Sequence, residues 1–378
     1  MNRDVILKPR LVGKRFDEHA IPMDILKDLT VFEPFIIEVA KWLFLKEHSG
    51  RKRVPRGFAK GLSLKLTKIE DGSAIPNISL EYEEGQLIQP YLDYFERAPR
   101  EIINVIDAAN RDGNEALQYL PATLLSYFDP IGRSLHDDER IEFQAANNTD
   151  KPIIFNKQIR RKLIELSSSA DSFTDEVVVR GYVPEVDQDK MTFELQIISG
   201  PKIKAPLEPQ YLETVIEATM GYRQKAKVML KGIARFNRYE RIEKIESIEI
   251  ITLLDPLDIG ARLDELLQLK RGWFDGKGEA YDPNDLAWIE EIMTLYYPDE
   301  LPSPYIYPTP EGNLLLEWED ERFDISLEID LSAKKGWLHI LNLSTEKDED
   351  KEFALINQEG WEALVKKLND YLAEENNE

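Results

Sequence analysis

Apolar residues along this chain fall into segments whose spacing changes repeatedly, and each change marks an expected element. Val5, Leu7 and Leu11 fit a short opening strand. From Ile21 onward, Leu26, Leu29, Phe32, Phe35, Ile36, Val39, Ala40 and Leu43 recur at three- and four-residue steps, so a core-packing helix is expected. Leu62, Leu64 and Leu66 then alternate with Ser63, Lys65 and Thr67. After a turn at Asp71-Gly72-Ser73, Ile75, Ile78, Leu80 and Tyr82 supply the return strand of a hairpin laid against that helix. Helical spacing resumes between Tyr91 and Tyr127 through Phe95, Ile102, Val105, Ile106, Leu117, Leu120 and Leu124, with a break near Asp112-Gly113 that divides it into two helices. A strand at Ile141-Glu142-Phe143 and a basic helix from Asn156 to Leu166 precede the polar stretch Ser167 to Ser172, which places a domain boundary near residue 170.

The next stretch, 175–255, orders its elements as three strands, a helix and two strands, the order of a five-stranded OB barrel. Val177, Val179, Gly181 and Val183 form its first strand, with Gly181 at the bend a barrel corner needs. Met191, Phe193, Leu195 and Ile197 alternate inward on the second, and Ile203 to Leu207 is the third. Glu208 to Met220 reads as a helix, Ala226 to Gly232 as strand four, and Ile242, Ile245, Ile248 and Ile250 mark strand five. After Asp255-Pro256 come two helices, around Leu263 to Leu269 and Leu286 to Met293, and a proline-rich passage from Pro298 to Pro310. Three antiparallel strands follow, Leu314 to Trp318, Phe323 to Leu331 and Gly336 to Leu343, then a closing amphipathic helix through Trp361, Leu364, Val365, Leu368 and Leu372 and a polar, frayed tail at 373–378. The fold expected is α+β and multi-domain: an N-terminal α+β domain at 1–170, an OB-like barrel at 171–255, and at 256–378 an antiparallel sheet with helices on one face.

Composition narrows the functions open to this frame. With 48 basic and 71 acidic side chains the 378-residue chain carries a formal charge of −23, which repels phosphate backbones at long range and favours a basic partner. It has no cysteine, so disulfides, thiolate nucleophiles, iron–sulfur clusters and cysteine-bound zinc are excluded. The charged start from Met1 to Arg10 does not read as a signal peptide, and no run approaches the roughly 18 uncharged apolar residues of a membrane span, so a cytoplasmic protein without membrane contact is expected.

Two basic clusters stand out against the acidity. Arg51, Lys52, Arg53, Arg56 and Lys60 surround Pro55 and Gly57, and either dock on phosphate, dock on an acidic partner, or pair with the protein's own carboxylates. Lys157, Arg160, Arg161 and Lys162 give the helix before the boundary a basic face, and a nucleic-acid groove becomes arguable if both clusters share one side. On the barrel, the usual ligand surface carries Glu185, Asp187, Asp189 and Glu194 and lacks paired aromatics for stacking bases; Arg235, Arg238, Tyr239 and Arg241 near the last loop suit a backbone better. Glu317, Glu319, Asp324, Glu328 and Asp330 could hold a cation for phosphodiester hydrolysis, but no lysine stands two residues after either glutamate of the strand pair, and a solvated sheet face explains them better. His19, His48, His136 and His339 lie on different elements without ligand spacing, and Gly272, Gly276 and Gly278 lack the strand and the lysine–serine pair of a phosphate loop. Neither a catalytic set, a metal site nor a cofactor is expected. Trp273, Trp288, Tyr296, Tyr297, Tyr305 and Tyr307 concentrate aromatics in the last third, where an exposed subset would mark an interface.

The segments Leu266 to Gly278 (LLQLKRGWFDGKG), Tyr305 to Gly312 (YIYPTPEG) and Leu316-Glu317-Trp318 resemble stretches of uncharacterised bacterial proteins found among toxin–antitoxin and phage-defence genes. The resemblance covers mainly the last third, carries no functional residues, and implies a neutralising or accessory role beside a partner protein. The leading expectation is therefore a non-enzymatic interaction protein that binds a basic partner through acidic and aromatic surfaces. A nucleic-acid-binding defence component and a metal-dependent nuclease are the alternatives; the oligomeric state is left open.

Overall fold

The computed structural model describes residues 2–70, 74–82, 91–111, 115–144, 151–168 and 171–372. The turn expected at 71–73, the helix break at 112–113, part of the 167–172 linker and the tail at 373–378 lie outside the described residues. The chain divides into two compact units, one of Met1–Glu176 with Ile233–Lys244 and one of Val177–Gly232 with Ile245–Glu378.

In the first unit the opening apolar run is two strands, β1 (Asn2–Leu7) and β2 (Arg10–Val12). The helix expected after Ile21 is also two, α1 (Met23–Thr30) and α2 (Phe32–Glu47). Pro34 explains the division: it has no N–H for the Thr30 carbonyl and its ring crowds that oxygen, and the Val31 N–H turns back to Asp28 O at 3.3 Å. β3 (Ser63–Glu70) and β4 (Ile75–Tyr82) form the expected antiparallel hairpin and, with β1, a sheet in the order β1-β4-β3. Leu66 is 47% exposed, because β3 is an edge strand whose register slips between Leu66 and Lys68. α3 (Leu92–Arg111), α4 (Ala116–Tyr119) and α5 (Ala122–Leu125) follow, one helix more than expected, with Pro121 between the last two. β5 (Arg140–Phe143) and β6 (Ile153–Phe155) join β2 in a second small sheet, and α6 (Lys157–Glu165) is the basic helix. Phe32, Phe35, Ile36, Phe95, Phe128 and Phe155 centre one continuous core.

β7 (Ser172–Asp187), β8 (Thr192–Ile197), β9 (Lys202–Pro206), β10 (Val228–Asn237) and β11 (Ile242–Leu253) close into a barrel in the order β10-β11-β9-β8-β7, with α7 (Leu212–Met220) between β9 and β10. Phe193, Leu195 and Ile197 point inward as expected, but Met191 is 42% exposed in the preceding turn, at φ 50°. On β11 the buried positions are Ile245, Ile248 and Ile251, so Ile250 faces out. Two glycines permit the close approach of the barrel walls: a Cβ on Gly181 would stand 2.4 Å from Gln196 O, and one on Gly232 2.2 Å from Ser247 O.

Beyond the barrel come α8 (Ile259–Leu266), α9 (Pro283–Tyr296), β12 (Tyr305–Pro308), β13 (Leu314–Trp318), β14 (Phe323–Asp330), β15 (Lys335–Asn342), β16 (Lys347–Ala354) and α10 (Gln358–Leu372). The five strands form one antiparallel sheet in sequential order, two strands more than expected. Leu316, Ile325, Leu327 and Leu338 on one face meet Leu266, Ile289, Trp361 and Leu368 of the helices in a second core. No helix among the described residues is long and apolar enough to cross a membrane.

Candidate functional site

Successive side chains of a strand point to opposite faces, so burying Leu314, Leu316 and Trp318 of β13 and Ile325, Leu327 and Ile329 of β14 sends their neighbours outward. The register aligns these outward residues in rows. One row runs Tyr307, Leu315, Glu328, Trp337, Glu352 across all five strands, and the next Tyr305, Glu317, Ser326, His339, Asp350. Beside the second row Asp324, Leu341 and Asp348 are paired in turn, and beside the first Asp330 faces Lys335. Four inter-strand spacings make each full row about 19 Å long. Tyr307 and Trp337 each keep 41% of their surface exposed, although a buried tryptophan would be the ordinary outcome for so large an apolar ring.

Few cations answer the carboxylates of this face. Glu352 pairs with Lys335 at 2.6 Å and Asp350 with His339 Nδ1 at 2.8 Å. Glu317, Asp324, Glu328 and Asp348 have no ion pair among the described residues, although Asn313 Nδ2 donates to Glu328 Oε1 at 2.8 Å. Backbone N–H donation from Ala333, followed by the Ser332 hydroxyl, holds the Asp330 carboxyl below its ordinary range. The Tyr305 hydroxyl is raised, first by the charge of Glu319 and then by their hydrogen bond.

The solvated-face reading of Glu317, Asp324, Glu328 and Asp330 thus describes where they stand, and a nuclease arrangement finds no geometric support in them. Glu317 lies opposite Ser326, and Glu328 between Leu315 and Trp337, so no two of these carboxylates are directly paired. Among the described residues the group whose ligand atoms do gather, within 4.8 Å, is His136, Asp138 and Glu139. There Arg15 already occupies Glu139 through Nε at 2.7 Å and Nη2 at 2.9 Å, a guanidinium where a metal would need an open position.

The basic candidates are dispersed in role. Arg160 is 3% exposed and buried in the fold: its Nε donates to Asp129 O at 3.0 Å and its Nη2 to Thr174 O at 2.6 Å, so the sequence-based placement of this residue on a ligand-facing surface is corrected. A helix with an apolar face turned to the core draws its flanking arginine inward when buried acceptors await it. Arg161 instead reaches Glu240 at 2.8 Å and lies 4.7 Å over the Phe173 ring. That ring stacks on Phe236 at 5.2 Å, so the turn between β10 and β11 is fastened to α6. Arg238 folds over Tyr239 at 4.8 Å and donates to its hydroxyl at 2.7 Å, with Tyr239 67% exposed. Arg51, Lys52, Arg53, Arg56 and Lys60 are all exposed, and none has an ion pair among the described residues.

Of the aromatics singled out, Tyr297 is largely withdrawn, donating to Pro302 O at 2.5 Å, and burial pushes its pKa up to about 12. Trp288 lies beneath Lys334 at 4.8 Å. In the glycine-rich segment Asp275 (φ 49°) and Gly276 (φ 80°) turn Phe274 back onto Lys277, with reciprocal backbone bonds of 2.9 and 2.8 Å. This turn leaves Phe274 51% exposed, in agreement with a turn between helices and not a phosphate loop. Sequence reasoning missed Trp337, His339, Asp348, Asp350 and Glu352. For Trp337 and His339 the signal was present, since Leu338 and Ile340 set the inward parity of β15; β16 carries almost no apolar signal. With this geometry in hand, no family model, no curated protein and no solved structure matches the chain.

Proposed function

We propose that this chain is an interaction protein that binds a basic segment of a protein partner on the outer face of its C-terminal sheet. The observation that carries the reading is that face itself: exposed Trp337 and Tyr307 stand in rows with Glu317, Glu328, Asp350 and Glu352, opposed by Lys335 alone among the outward lysines and arginines of the strands, with the His339 ring against Asp350. Tryptophan and tyrosine give a partner contact area at small entropic cost, and lysine or arginine can lie over their rings while neighbouring carboxylates take the charge. Strands of about six residues at about 3.4 Å give roughly 20 Å in the other direction, so the plane offers on the order of 400 Å², about half of what each partner commonly contributes. That area suits one segment of the partner and a salt-sensitive association. The neutralising or accessory role implied by the toxin–antitoxin and phage-defence resemblance is one such a face would serve.

The barrel is read here as a member of the OB class, supported by its strand order and by the helix between the third and fourth strands. It is not assigned the ligand. Glu194 of β8 is paired with Lys202, and Asp187 with Lys190 at 2.6 Å, so the face that usually stacks bases is occupied by local ion pairs. The test is affinity purification from the native host at low and high salt, comparing the wild-type chain with the double variant Glu328→Lys, Trp337→Ala. A stoichiometric basic protein, released by salt and absent from the variant's eluate, is expected. Recovery of the same proteins by both forms would refute the reading.

A further inference from the structure

Unlike the acidic sheet, the first unit presents five cations, Arg51, Lys52, Arg53, Arg56 and Lys60, within ten residues of chain. All five are exposed, and none has an ion pair or a hydrogen-bonded carboxylate among the described residues. Elsewhere in the same unit comparable cations do find carboxylates: Lys41 on Glu38 at 2.7 Å, Arg97 on Glu47 at 2.8 Å and Lys157 on Asp137 at 3.3 Å. In a chain with 71 acidic side chains, a run of cations with no acid partner among the described residues is a local excess of positive field. At physiological salt the screening length is about 8 Å, so distant carboxylates scarcely reduce that field for a ligand in contact.

The loop is also held in place. Phe58 is 2% exposed and its ring lies 5.4 Å from Phe44, 5.0 Å from Tyr91 and 5.2 Å from Phe95. Backbone bonds from Arg51 N to His48 O (2.8 Å), Phe58 N to Pro55 O (3.2 Å) and Lys60 N to Gly57 O (3.0 Å) fold it through successive turns. Gly57 stands at φ 83° within this path, where an L side chain would be strained. The Arg51 guanidinium rests 5.8 Å from the Phe44 ring centre, a cation–π contact beside which its N–H donors have no carboxylate among the described residues. A ligand therefore meets a preformed array and orders little chain on binding.

We infer that the loop from Arg51 to Lys60 is a docking site for the phosphate backbone of a nucleic acid. Three of the five cations are arginines, whose forked donors match phosphate oxygens in pairs. Five exposed cations spread over ten residues match a repeating polyanion better than a single phosphate, which needs a few converging donors. The loop's apolar members are withdrawn, Phe58 buried and Val54 and Pro55 half-buried, so nothing is offered for insertion into a bilayer. The contacts are to the backbone, and the site binds without sequence preference. It is independent of the protein-binding face proposed above.

The test is fluorescence anisotropy of the full chain with labelled single-stranded and duplex oligonucleotides at 50 and 200 mM salt, beside anionic phospholipid vesicles. Engaging three to five phosphates gives a slope of log K on log salt of about −2 to −4.5, a loss of about 16- to 500-fold over that range. The triple variant Arg51→Ala, Arg53→Ala, Arg56→Ala, with its circular dichroism unchanged, is expected to bind at least tenfold more weakly at 50 mM salt and with a flatter slope, while Trp337→Ala binds oligonucleotide as the wild type does. Absence of oligonucleotide binding at 50 mM salt, undiminished binding by the triple variant, or binding to vesicles alone would each overturn the assignment.

Discussion

In the N-terminal unit Arg160 is enclosed by Asp129 and Thr174, Arg15 is shared between Glu139 and Asp24, and Asp28 accepts from both the backbone and the hydroxyl of Ser134. On the C-terminal sheet Glu317, Asp324 and Asp348 stand outward with no ion pair among the described residues, on the face that also carries half-exposed Trp337. The residue types are the same and the duties differ. Where charges find partners inside their own fold they join segments far apart in sequence, as Arg15 joins Ser134 and Glu139 to the N-terminal turn. Where they do not, water solvates them and they stay open to the partner proposed above. Charge counts alone could not separate these cases; burial and bonded partners do.

Several substitutions would break or sharpen that contrast. The largest effect is expected at the buried arginine: Arg160→Ala leaves the Asp129 and Thr174 carbonyls without their donor and removes the guanidinium beside the Asp129 carboxylate, which should cost about 3–5 kcal/mol, read as a lowered unfolding midpoint in urea. An effect below about 1 kcal/mol would show that the inward network is not structural.

Next comes pH. Burial pushes Asp28 up to about 6, against the Ser134 hydrogen bonds and the charges of Arg133 and Arg160 that lower it. Its folded pKa lies above the ordinary 3.8, so the folded state holds this proton more tightly than the unfolded chain. The associated stability is full below about pH 4 and is lost as pH rises through about 6, at most on the order of 3 kcal/mol. Asp28→Asn should remove that component from a stability profile between pH 4 and 7; a profile unchanged by the substitution would contradict it.

On the sheet the expectations invert. Trp337→Ala should cost about 2 kcal/mol or more of partner affinity, about 30-fold, yet only about 1 kcal/mol of stability or less. Smallest of all, Glu317→Gln should weaken partner binding by about 0.2–1 kcal/mol and only at low salt, with an unfolding midpoint that does not move.

Legibility in the sequence followed the strength of the apolar signal. The helix α10, the strands β13 to β15 and the barrel strands β8 and β10 were readable because each buries one regular face, as Leu314, Leu316 and Trp318 do, whereas β11 buries every third residue and its inward set was misplaced by one at Ile250. The strand β16 was not, because an edge strand of sequence KDEDKEFA with one buried side chain has no alternation to detect. β12 hid in the proline-rich passage for a similar reason, since Pro308 is tolerated at a sheet edge. The break between α1 and α2 was legible in principle from Pro34. The candidate face was half visible: Glu317 and Glu328 were noticed as outward carboxylates, but without β16 the acids at 348, 350 and 352 had no place beside them. Arg160 misled because helical spacing gives a residue's angular position and not the acceptors waiting at the end of a long side chain.

The most direct test of the central claim is the equilibrium affinity of the recovered partner for the wild-type chain and for Glu328→Lys, Trp337→Ala, measured calorimetrically at two salt concentrations. The account predicts at least a hundredfold loss in the double variant, with an unfolding midpoint within about 1 kcal/mol of wild type and an affinity that falls as salt rises. Equal affinity for both forms, or binding indifferent to salt, would place the partner elsewhere and contradict the assignment of this face.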